Sequence, residues 1–513
     1  LGVPEIVIGS IVSVARLIGI ARTFARHDAL FPLKRMGVVR PVVAIAKFMS
    51  RRDVAGRPGE RLSAALEELG PTFIKLGQAL SVRPDLVGED IADDLATLQD
   101  RLPPFPSDTA RRTIEEELAE PVDSLFAQFD DTPVAAASIA QVHFAETHDG
   151  DLVAVKVLRP GIEARFRQDI ELFLWLARLI ERTRPALRRL RPLEVVRTFV
   201  ASVNIEMDLR LEAAAASELR ENTENDSGFR VPRIDWMRTG RKVMTLERIE
   251  GIRIDDLAAL EAAGFAPRDI LRRSAESFFN QVFRDGFFHA DIHPGNMFVT
   301  ADGTLCPVDF GIMGRLDRKT RNYLADMLIG FLDRDYKRVA EVHFEAGYVP
   351  ARKSVGAFTQ AIRSIGEPIL GKPLHEISLA RLLAHLFQVT ETFEMEAQPQ
   401  LLLLQKTMLV AEGVGRTLDP TINMWSLARP LIEEWILFNR GPEARLRDMV
   451  TDTVSTLEQL PQLLGRAEAV AEALSGAQPV NNGADEGTTG GMRSNWILYG
   501  LIAIIAVLLI ANL

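Results

Sequence analysis

Cysteine is nearly absent from this sequence. Cys306 is the single cysteine among 513 residues, which excludes an intramolecular disulfide and any zinc site built from several thiolates. A chain without disulfides fits a reducing compartment such as the cytoplasm. Because Cys306 lies in an apolar run of strand type, we interpret it as a small core residue rather than as a nucleophile.

Positive charge is also in deficit. The formal net charge is -10 at pH 7, which argues against a nucleic-acid partner because neutralising phosphates needs a basic surface. Hydrophobic residues make up 47% and charged residues 25% of the chain, and these average values exclude a disordered, collagenous or multiply membrane-spanning protein. The length predicts about three compact units, or one large domain with extensions.

The basic residues concentrate at the front of the chain. Residues 1–52 contain nine Lys or Arg side chains against two acidic ones, a local charge of +7 that leaves -17 for the remainder. Arg16, Arg22 and Arg26 recur at helical spacing, which suits a helix lying on an anionic membrane surface and equally a helix docked on the protein body. The segment does not resemble a signal peptide, since its apolar stretch precedes its positive charges.

The C-terminus predicts a membrane anchor. Residues 496–513 carry no charge, and as a helix they would rise about 27 Å, close to the hydrocarbon thickness of a bilayer. We interpret 495–513 as a single tail anchor, with a buried core helix as the alternative. Arg493 precedes the span and no basic residue follows it, so the body is predicted on the cytoplasmic side. The glycine-rich polar stretch 476–494 predicts a flexible linker.

Helical periodicity dominates the remainder, and β-type runs are short. We therefore predict a mostly helical α+β protein. Strands are predicted at 134–144, 152–158, 230–236, 242–247, 296–300 and 304–308, the last two forming a hairpin around 301–303. Helices are predicted at 61–69, 162–183, 193–222, 267–284 and over much of 318–473.

One stretch carries the pattern of phosphoryl-transfer chemistry. Asp291 is followed by Asn296 five positions later, and the triplet beginning at Asp309 reads Asp-Phe-Gly. This is the order and spacing of a kinase catalytic loop and metal-binding loop. Asp309 and Asn296 would supply carboxylate and amide oxygens to Mg²⁺, and Asp291 would orient the nucleophile or accept its proton. The alternative is a polar loop with a capping aspartate.

A second pattern upstream fits the same chemistry. Residues 152–157 alternate apolar side chains around Lys156, as in a half-buried strand whose ammonium reaches nucleotide phosphates. In kinases a glutamate on the next long helix fixes this lysine, and Glu212 is available. On one continuous helix, Asp208 and Glu212 would share a face, whereas Glu206 and Asp208 would diverge.

Other positions depart from a protein kinase. Ala290 stands where many protein kinases have the arginine that reads a phosphorylated activation loop. No Ala-Pro-Glu element follows Gly311, so the peptide-docking platform is missing from the sequence. His289 and His293 lie four positions apart with no third ligand in view, and we interpret both as structural residues rather than metal ligands.

Taken together, the motifs resemble the UbiB family of atypical kinase-like proteins, which is associated with ubiquinone (coenzyme Q) biosynthesis. They span about residues 70–312 in family order. The motifs are Lys75-x-Gly77-Gln78, the alanine-rich loop around Ala135, Ala136, Ala137 and Ser138, Glu206-x-Asp208, and the catalytic loop 289–296.

The resemblance implies a two-lobe protein-kinase-like fold with a family-specific N-terminal helical extension and a C-terminal transmembrane helix. The implied cofactors are ATP and Mg²⁺, with the alanine-rich loop and Lys156 against the nucleotide. The implied domains are a basic helical segment 1–52, an extension 53–130, an N-lobe 131–250, a helical C-lobe 251–475, a linker 476–494 and an anchor 495–513.

The resemblance also implies two ion pairs. Lys156 pairs with Glu212, and Lys75 of the extension pairs with Glu206 and Asp208. In the family the extension covers the groove where a protein kinase admits its peptide, which favours ATP hydrolysis or transfer to a small acceptor. Alanines in place of glycines restrict the approach of the loop to phosphates, and an ordinary strand is the alternative for this segment.

The expected function is that of a membrane-tethered atypical kinase or ATPase that binds Mg-ATP and supports ubiquinone biosynthesis. The expected partners are an anionic membrane surface, quinone precursors and quinone-biosynthesis proteins, and the expected location in a prokaryote is the inner membrane. Two alternatives stay open: a small-molecule kinase of the aminoglycoside or choline type, and a catalytically silent nucleotide-binding scaffold.

Overall fold

A computed structural model describes most of the chain before residue 436. The predicted linker and the predicted tail anchor lie outside the described residues. Within the described part, no helix has the length and apolar character needed to cross a membrane. The described residues are 16–29, 56–81, 87–96, 98, 102–183, 192–368, 385, 388–390, 392–395, 399–419, 429–433 and 435.

The N-terminal extension is helical. Gly77 lies where α2 packs against its neighbours: a Cβ at this position would stand 2.8 Å from Leu66 Cδ1 and 2.3 Å from Leu98 Cδ1. Glycine is therefore required here by close packing. The helices are α1 Pro58–Leu69, α2 Pro71–Ser81, α3 Glu89–Ala96, α4 Ser107–Leu118 and α5 Val122–Leu125.

The basic front of the chain docks on the protein body where the structure describes it. A helix over 16–26 buries Leu17 and Phe24. Its Arg16 lies 2.9 Å from the buried Asp169. Of the two alternatives for this segment, the docked helix is the one observed for residues 16–29.

The small lobe is an antiparallel sheet. Its strands are β1 Gln128–Phe129, β2 Ala135–Ala136, β3 Ala140–Glu146, β4 Leu152–Leu158 and β5 Val243–Glu247, in the order β1-β3-β4-β5 with β2 also on β3. The predicted strand 134–144 is instead a hairpin, because the chain turns where the Ala137 N–H donates to the Ala140 carbonyl. The predicted strand 230–236 is wrong as well: within it, Ile234 forms a single isolated bridge, to Leu246, rather than a ladder.

Three helices lie between β4 and β5 in the chain: α6 Ile162–Thr183, α7 Pro192–Glu206 and α8 Leu209–Asn222. The prediction of one continuous helix over 193–222 is wrong. Asp208 is in extended conformation and its carboxylate accepts the Arg210 N–H, so it caps a new helix. The Leu209 N–H donates to the Arg241 carbonyl. Glu206 and Glu212 therefore belong to different helices.

The larger lobe carries short strands among helices. The hairpin predicted at 296–308 is confirmed, with Gly303 at a positive φ of 79° in its turn. The predicted helix 267–284 changes after Phe279 into a π-helical turn, Asn280–Asp285. The elements are β6 Ile252–Arg253, α9 Leu257–Ala262, α10 Pro267–Phe279, β7 Phe287–His289, β8 Met297–Val299, β9 Leu305–Pro307, β10 Met313–Arg315, α11 Arg318–Leu332, α12 Tyr336–Glu345, α13 Val355–Gly366 and α14 Pro399–Leu418.

A continuous hydrophobic core joins the extension to both lobes. Phe73 of α2 meets Phe173 of α6 edge to face, with ring centroids 5.2 Å apart. Leu209 of α8, Phe288 of β7 and Leu404 of α14 are buried in the same core. The segments that carry the motif residues are thus fixed by shared packing.

Candidate active site

Lys156 on β4 contacts two acidic side chains. Its Nζ donates to Glu212 Oε1 at 2.6 Å and to Asp309 Oδ1 at 3.3 Å. The predicted pairing of Lys156 with Glu212 is present in the structure. Glu212 also accepts the Phe310 N–H, so one carboxylate ties α8 to both the strand lysine and the Asp-Phe-Gly loop.

The three groups perturb one another strongly. Burial opposes the charge of Lys156, but Asp309 and Glu212 outweigh it and raise the pKa of the lysine above its usual value. Burial, together with nearby Asp309, raises the pKa of Glu212 to about 7 despite the lysine. Burial also acts against the charge of Asp309, yet Lys156 and a hydrogen bond with Glu212 hold its pKa below its usual range. Of the two carboxyl groups, Asp309 therefore stays ionised down to the lower pH.

The β8–β9 hairpin brings Asn296 to Asp309. The Val308 N–H donates to the Asn296 carbonyl at 3.0 Å, one residue before Asp309. The Gly311 N–H donates to Asp309 Oδ1 at 3.2 Å, and the Asp309 side chain remains 44% exposed. Half-exposed carboxylate and amide groups at one end of a hairpin fit Mg²⁺, which takes one or two protein oxygens and keeps several waters.

His289 connects the catalytic loop to the metal-binding loop. Its Nδ1 accepts the Asp291 N–H at 3.2 Å, and its Nε2 faces the Asp309 carbonyl. Burial lowers the pKa of His289, so the ring is neutral, with the proton on Nε2. The Nδ1 of His293 accepts the Gly295 N–H. These contacts agree with the structural interpretation of both histidines.

Asp291 is held from a distant part of the chain. Lys406 on α14 donates from Nζ to Asp291 Oδ1 at 3.1 Å, and Thr407 donates to the Ala290 carbonyl at 3.1 Å. Gln281 in the π-helical turn accepts the His289 N–H. Sequence reasoning missed all three residues that support the loop, since none has a fixed spacing from the catalytic motif.

The extension contributes Lys75. Its Nζ lies 2.8 Å from Glu206 Oε2, and both side chains are largely buried. The positive charge of Lys75 also contributes to the lowered pKa of Asp309. Asp208, predicted as a second partner of Lys75, caps α8 and forms a two-pronged ion pair with Arg210. Gln78 lies half-buried one helical turn beyond Lys75.

The alanine-rich loop forms a tight hairpin over the sheet. Ala135 pairs with Val142 and Ala136 with Gln141, and the guanidinium of Arg159 donates twice to the Ala137 carbonyl. The Ser138 hydroxyl is fully buried, and its oxygen has no hydrogen-bond partner among the described residues. An unsatisfied buried hydroxyl is costly, which fits a loop whose hydrogen bonding is completed by a ligand.

Cys306 lies inside the β8–β9 hairpin and is fully buried. Burial raises the pKa of its thiol to about 12. The thiol therefore stays protonated at physiological pH and has little nucleophilic character. This is the core residue expected from the sequence.

Comparisons with known proteins agree with this geometry. Residues 97–343 match the ABC1 atypical kinase-like domain, and residues 362–423 match the UbiB helical domain. A probable protein kinase UbiB of Marinobacter nauticus is 45% identical over 455 residues, covering 87% of this chain and 83% of the relative. The chain belongs to the UbiB family. The predicted family assignment is confirmed.

Further UbiB relatives and a solved structure extend the match. A probable protein kinase UbiB of Pseudomonas aeruginosa is 43% identical, covering 90% of this chain and 86% of the relative. The Rv3197–erythromycin complex from Mycobacterium tuberculosis superimposes with a TM-score of 0.52 at 27% identity, covering 72% of this chain and 95% of the other. The fold is kinase-like and mostly helical, and Lys406 falls within the UbiB helical domain.

Proposed function

We propose that this UbiB-family protein binds Mg-ATP and transfers its terminal phosphoryl group, with water or a small acceptor as the recipient. The observation that carries the proposal is the convergence of Lys156, Glu212 and Asp309 within hydrogen-bonding distance. A strand lysine fixed by a helix glutamate beside an Asp-Phe-Gly loop is the arrangement that kinases use to hold nucleotide phosphates.

Each residue then has a defined role. Lys156 would bind phosphate oxygens, and Glu212 would fix its ammonium. Asp309 and Asn296 would hold Mg²⁺, which neutralises phosphate charge when bound. Asp291 would hydrogen-bond the attacking hydroxyl or water and accept its proton.

Hydrolysis or a small acceptor is favoured over a protein substrate. The extension anchors Lys75 on Glu206 in a largely buried ion pair, and the charge of this lysine contributes to the lowered pKa of Asp309. Displacing such a pair to admit a peptide would leave buried charges without partners, which is costly. The same extension disfavours a soluble small-molecule kinase of the aminoglycoside type, since those enzymes lack it.

Membrane tethering and ubiquinone biosynthesis complete the proposal. The uncharged apolar segment 496–513 follows a polar linker, as expected for an anchor. Prenylated quinone precursors are lipids, so an enzyme that handles them benefits from a position at the bilayer surface. Family membership supports the pathway, and a silent scaffold is the outcome to test against.

The decisive experiment is ATP turnover by purified full-length protein in detergent or anionic lipid. Asp309→Asn should lower turnover by about 100-fold or more, because a neutral amide binds Mg²⁺ far less well than a carboxylate. Asp302→Asn is the matched control, since Asp302 lies in the turn of the β8–β9 hairpin, at the opposite end from Asn296 and Asp309. Equal turnover by wild type and Asp309→Asn would refute catalysis, and nucleotide binding without turnover would indicate a scaffold.

The pathway is tested separately in cells. A strain that lacks the protein should contain less ubiquinone, and expression of the wild type, but not of Asp309→Asn, should restore it. Unchanged quinone in the deletion strain, under conditions that require quinone, would remove the assignment to this pathway.

A further inference from the structure

Helix α14 contacts the catalytic loop through two adjacent side chains. Lys406 Nζ lies 3.1 Å from Asp291 Oδ1, and Thr407 Oγ1 lies 3.1 Å from the Ala290 carbonyl oxygen. The Lys406 and Asp291 side chains are 29% and 33% exposed, whereas Thr407 is fully buried. One helical segment therefore holds both the backbone and the carboxylate of the loop.

The position of Lys406 is fixed by the packing of its helix. Leu404, Val414 and Leu418 of α14 are buried in the core that also contains Phe288 of β7. The Thr407 hydroxyl also contacts the carbonyl of Leu403, one turn earlier in the same helix. The backbone that carries Lys406 is thus already fixed by packing. Holding Asp291 therefore costs only the conformational entropy of the lysine side chain.

The catalytic loop itself provides no cation for Asp291. Residues 289–296 contain neither lysine nor arginine. Lys156 is engaged by Glu212 and Asp309, and Lys75 lies on Glu206. The positive charge in contact with Asp291 comes instead from 115 residues further along the chain.

We propose that Lys406 is a positioning residue for Asp291, through which the UbiB helical domain completes the catalytic loop. The proposal rests on the proposed phosphoryl transfer. In that reaction a bond forms between the acceptor oxygen and the γ-phosphorus, the bond from this phosphorus to the leaving oxygen of ADP breaks, and the acceptor proton passes to Asp291. Lys406 holds Oδ1, and Oδ2 of Asp291, which has no hydrogen-bond partner in the part of the chain that the structure describes, would face the acceptor.

The test compares two variants of full-length protein. Lys406→Met removes the charge at similar length, and Lys406→Arg retains it. We expect Lys406→Met to lower kcat by about 10-fold or more with little change in the KM for ATP, as for other residues that orient a catalytic group. Lys406→Arg should recover much of kcat. Lys337→Met is the matched control, since Lys337 on α12 is 77% exposed and pairs with Glu341.

A double-mutant cycle supplies a readout that does not need turnover. Lys406→Met should lower the thermal midpoint in the wild-type background but little in the Asp291→Asn background, because the partner charge is already gone. Equal shifts in both backgrounds, or wild-type kcat for Lys406→Met, would overturn the role of Lys406. If wild type itself does not turn over ATP, the proposed function fails instead, and the cycle alone decides whether the two side chains are coupled.

Discussion

At the scale of single residues, the site is defined by the sharing of charge among one lysine and two carboxyl groups. Lys156 contacts both Glu212 and Asp309, and two carboxyl groups close to one ammonium repel each other, so their pKa values diverge, with the more buried Glu212 raised. The pKa of Glu212 is raised to about 7 while that of Asp309 is lowered. Glu212 is therefore the member that takes up a proton near neutral pH.

This sharing predicts a pH dependence of stability without nucleotide. Between the ordinary value of 4.5 and about 7, the folded protein binds more protons at Glu212 than the unfolded chain does, so the contribution of Glu212 to stability, measured as the difference between wild type and Glu212→Gln, should fall as pH rises through this window. The loss should be on the order of 3 kcal/mol at most. Asp309, with a lowered pKa, titrates below this window, and Lys156, with a raised pKa, titrates above it.

Denaturant unfolding at pH 5, 6, 7 and 8 measures the effect. Glu212→Gln cannot titrate and should lose this part of the slope. Glu218→Gln should keep it, because Glu218 lies on the same helix but pairs with the exposed Arg315. Parallel stability curves for wild type and Glu212→Gln would contradict the prediction.

The sequence predicted the residues whose spacing is imposed by chemistry. Asp291, Asn296 and Asp309 lie on loops at the ends of short strands, and phosphoryl transfer fixes their order and separation. Lys406 had no such signal, because its contact with Asp291 depends on how α14 docks in the core. Motif spacing does not predict a polar residue that reaches the site only through tertiary packing.

At the scale of elements, Gly77 shows why the family motif contains a glycine. The absence of a side chain lets α2 approach Leu66 and Leu98 closely, and α2 presents Lys75 to Glu206. The position of the lysine thus depends on helix packing two residues away.

Gly77→Ala should destabilise the protein by about 1–3 kcal/mol, because the new methyl group overlaps both leucines. Gly413→Ala is the matched control: Gly413 also lies in a helix, but a Cβ there meets nothing within 4 Å. Alanine at that position should leave stability unchanged or raise it by up to about 1 kcal/mol. Thermal melts of both variants decide the point, and equal midpoints would show that α2 has room for the methyl group.

Element boundaries were harder to predict than element types. The continuous helix predicted over 193–222 is interrupted because Asp208 can cap a helix as readily as it can lie within one. The alanine-rich segment was predicted as one strand because its apolar run continues through the turn at 137–139. In both places a local hydrogen bond, rather than the periodicity, sets the boundary.

At the scale of the whole molecule, the two ends of the chain differ. The helix over 16–26 uses Arg16 and Arg26 in ion pairs with Asp169 and Glu68, so its basic residues are partly engaged by the body. Attachment to a membrane is therefore expected to depend chiefly on the predicted anchor.

Removal of 495–513 should move the protein from the membrane pellet to the supernatant of fractionated cells, because the uncharged apolar run would be lost. Deletion of the linker 476–494 is a control of equal length that leaves the apolar run in place, and this variant should remain in the pellet. Persistence of the truncated chain in a salt-washed pellet would contradict the prediction.

The break between α7 and α8 has a mechanical consequence. Glu206 ends one helix and Glu212 lies on the next, with the Asp208 cap between them. The partner of Lys75 and the partner of Lys156 therefore belong to two different helices. A change that displaces Glu206 would break the ion pair of Lys75 and leave the pair between Lys156 and Glu212 in place.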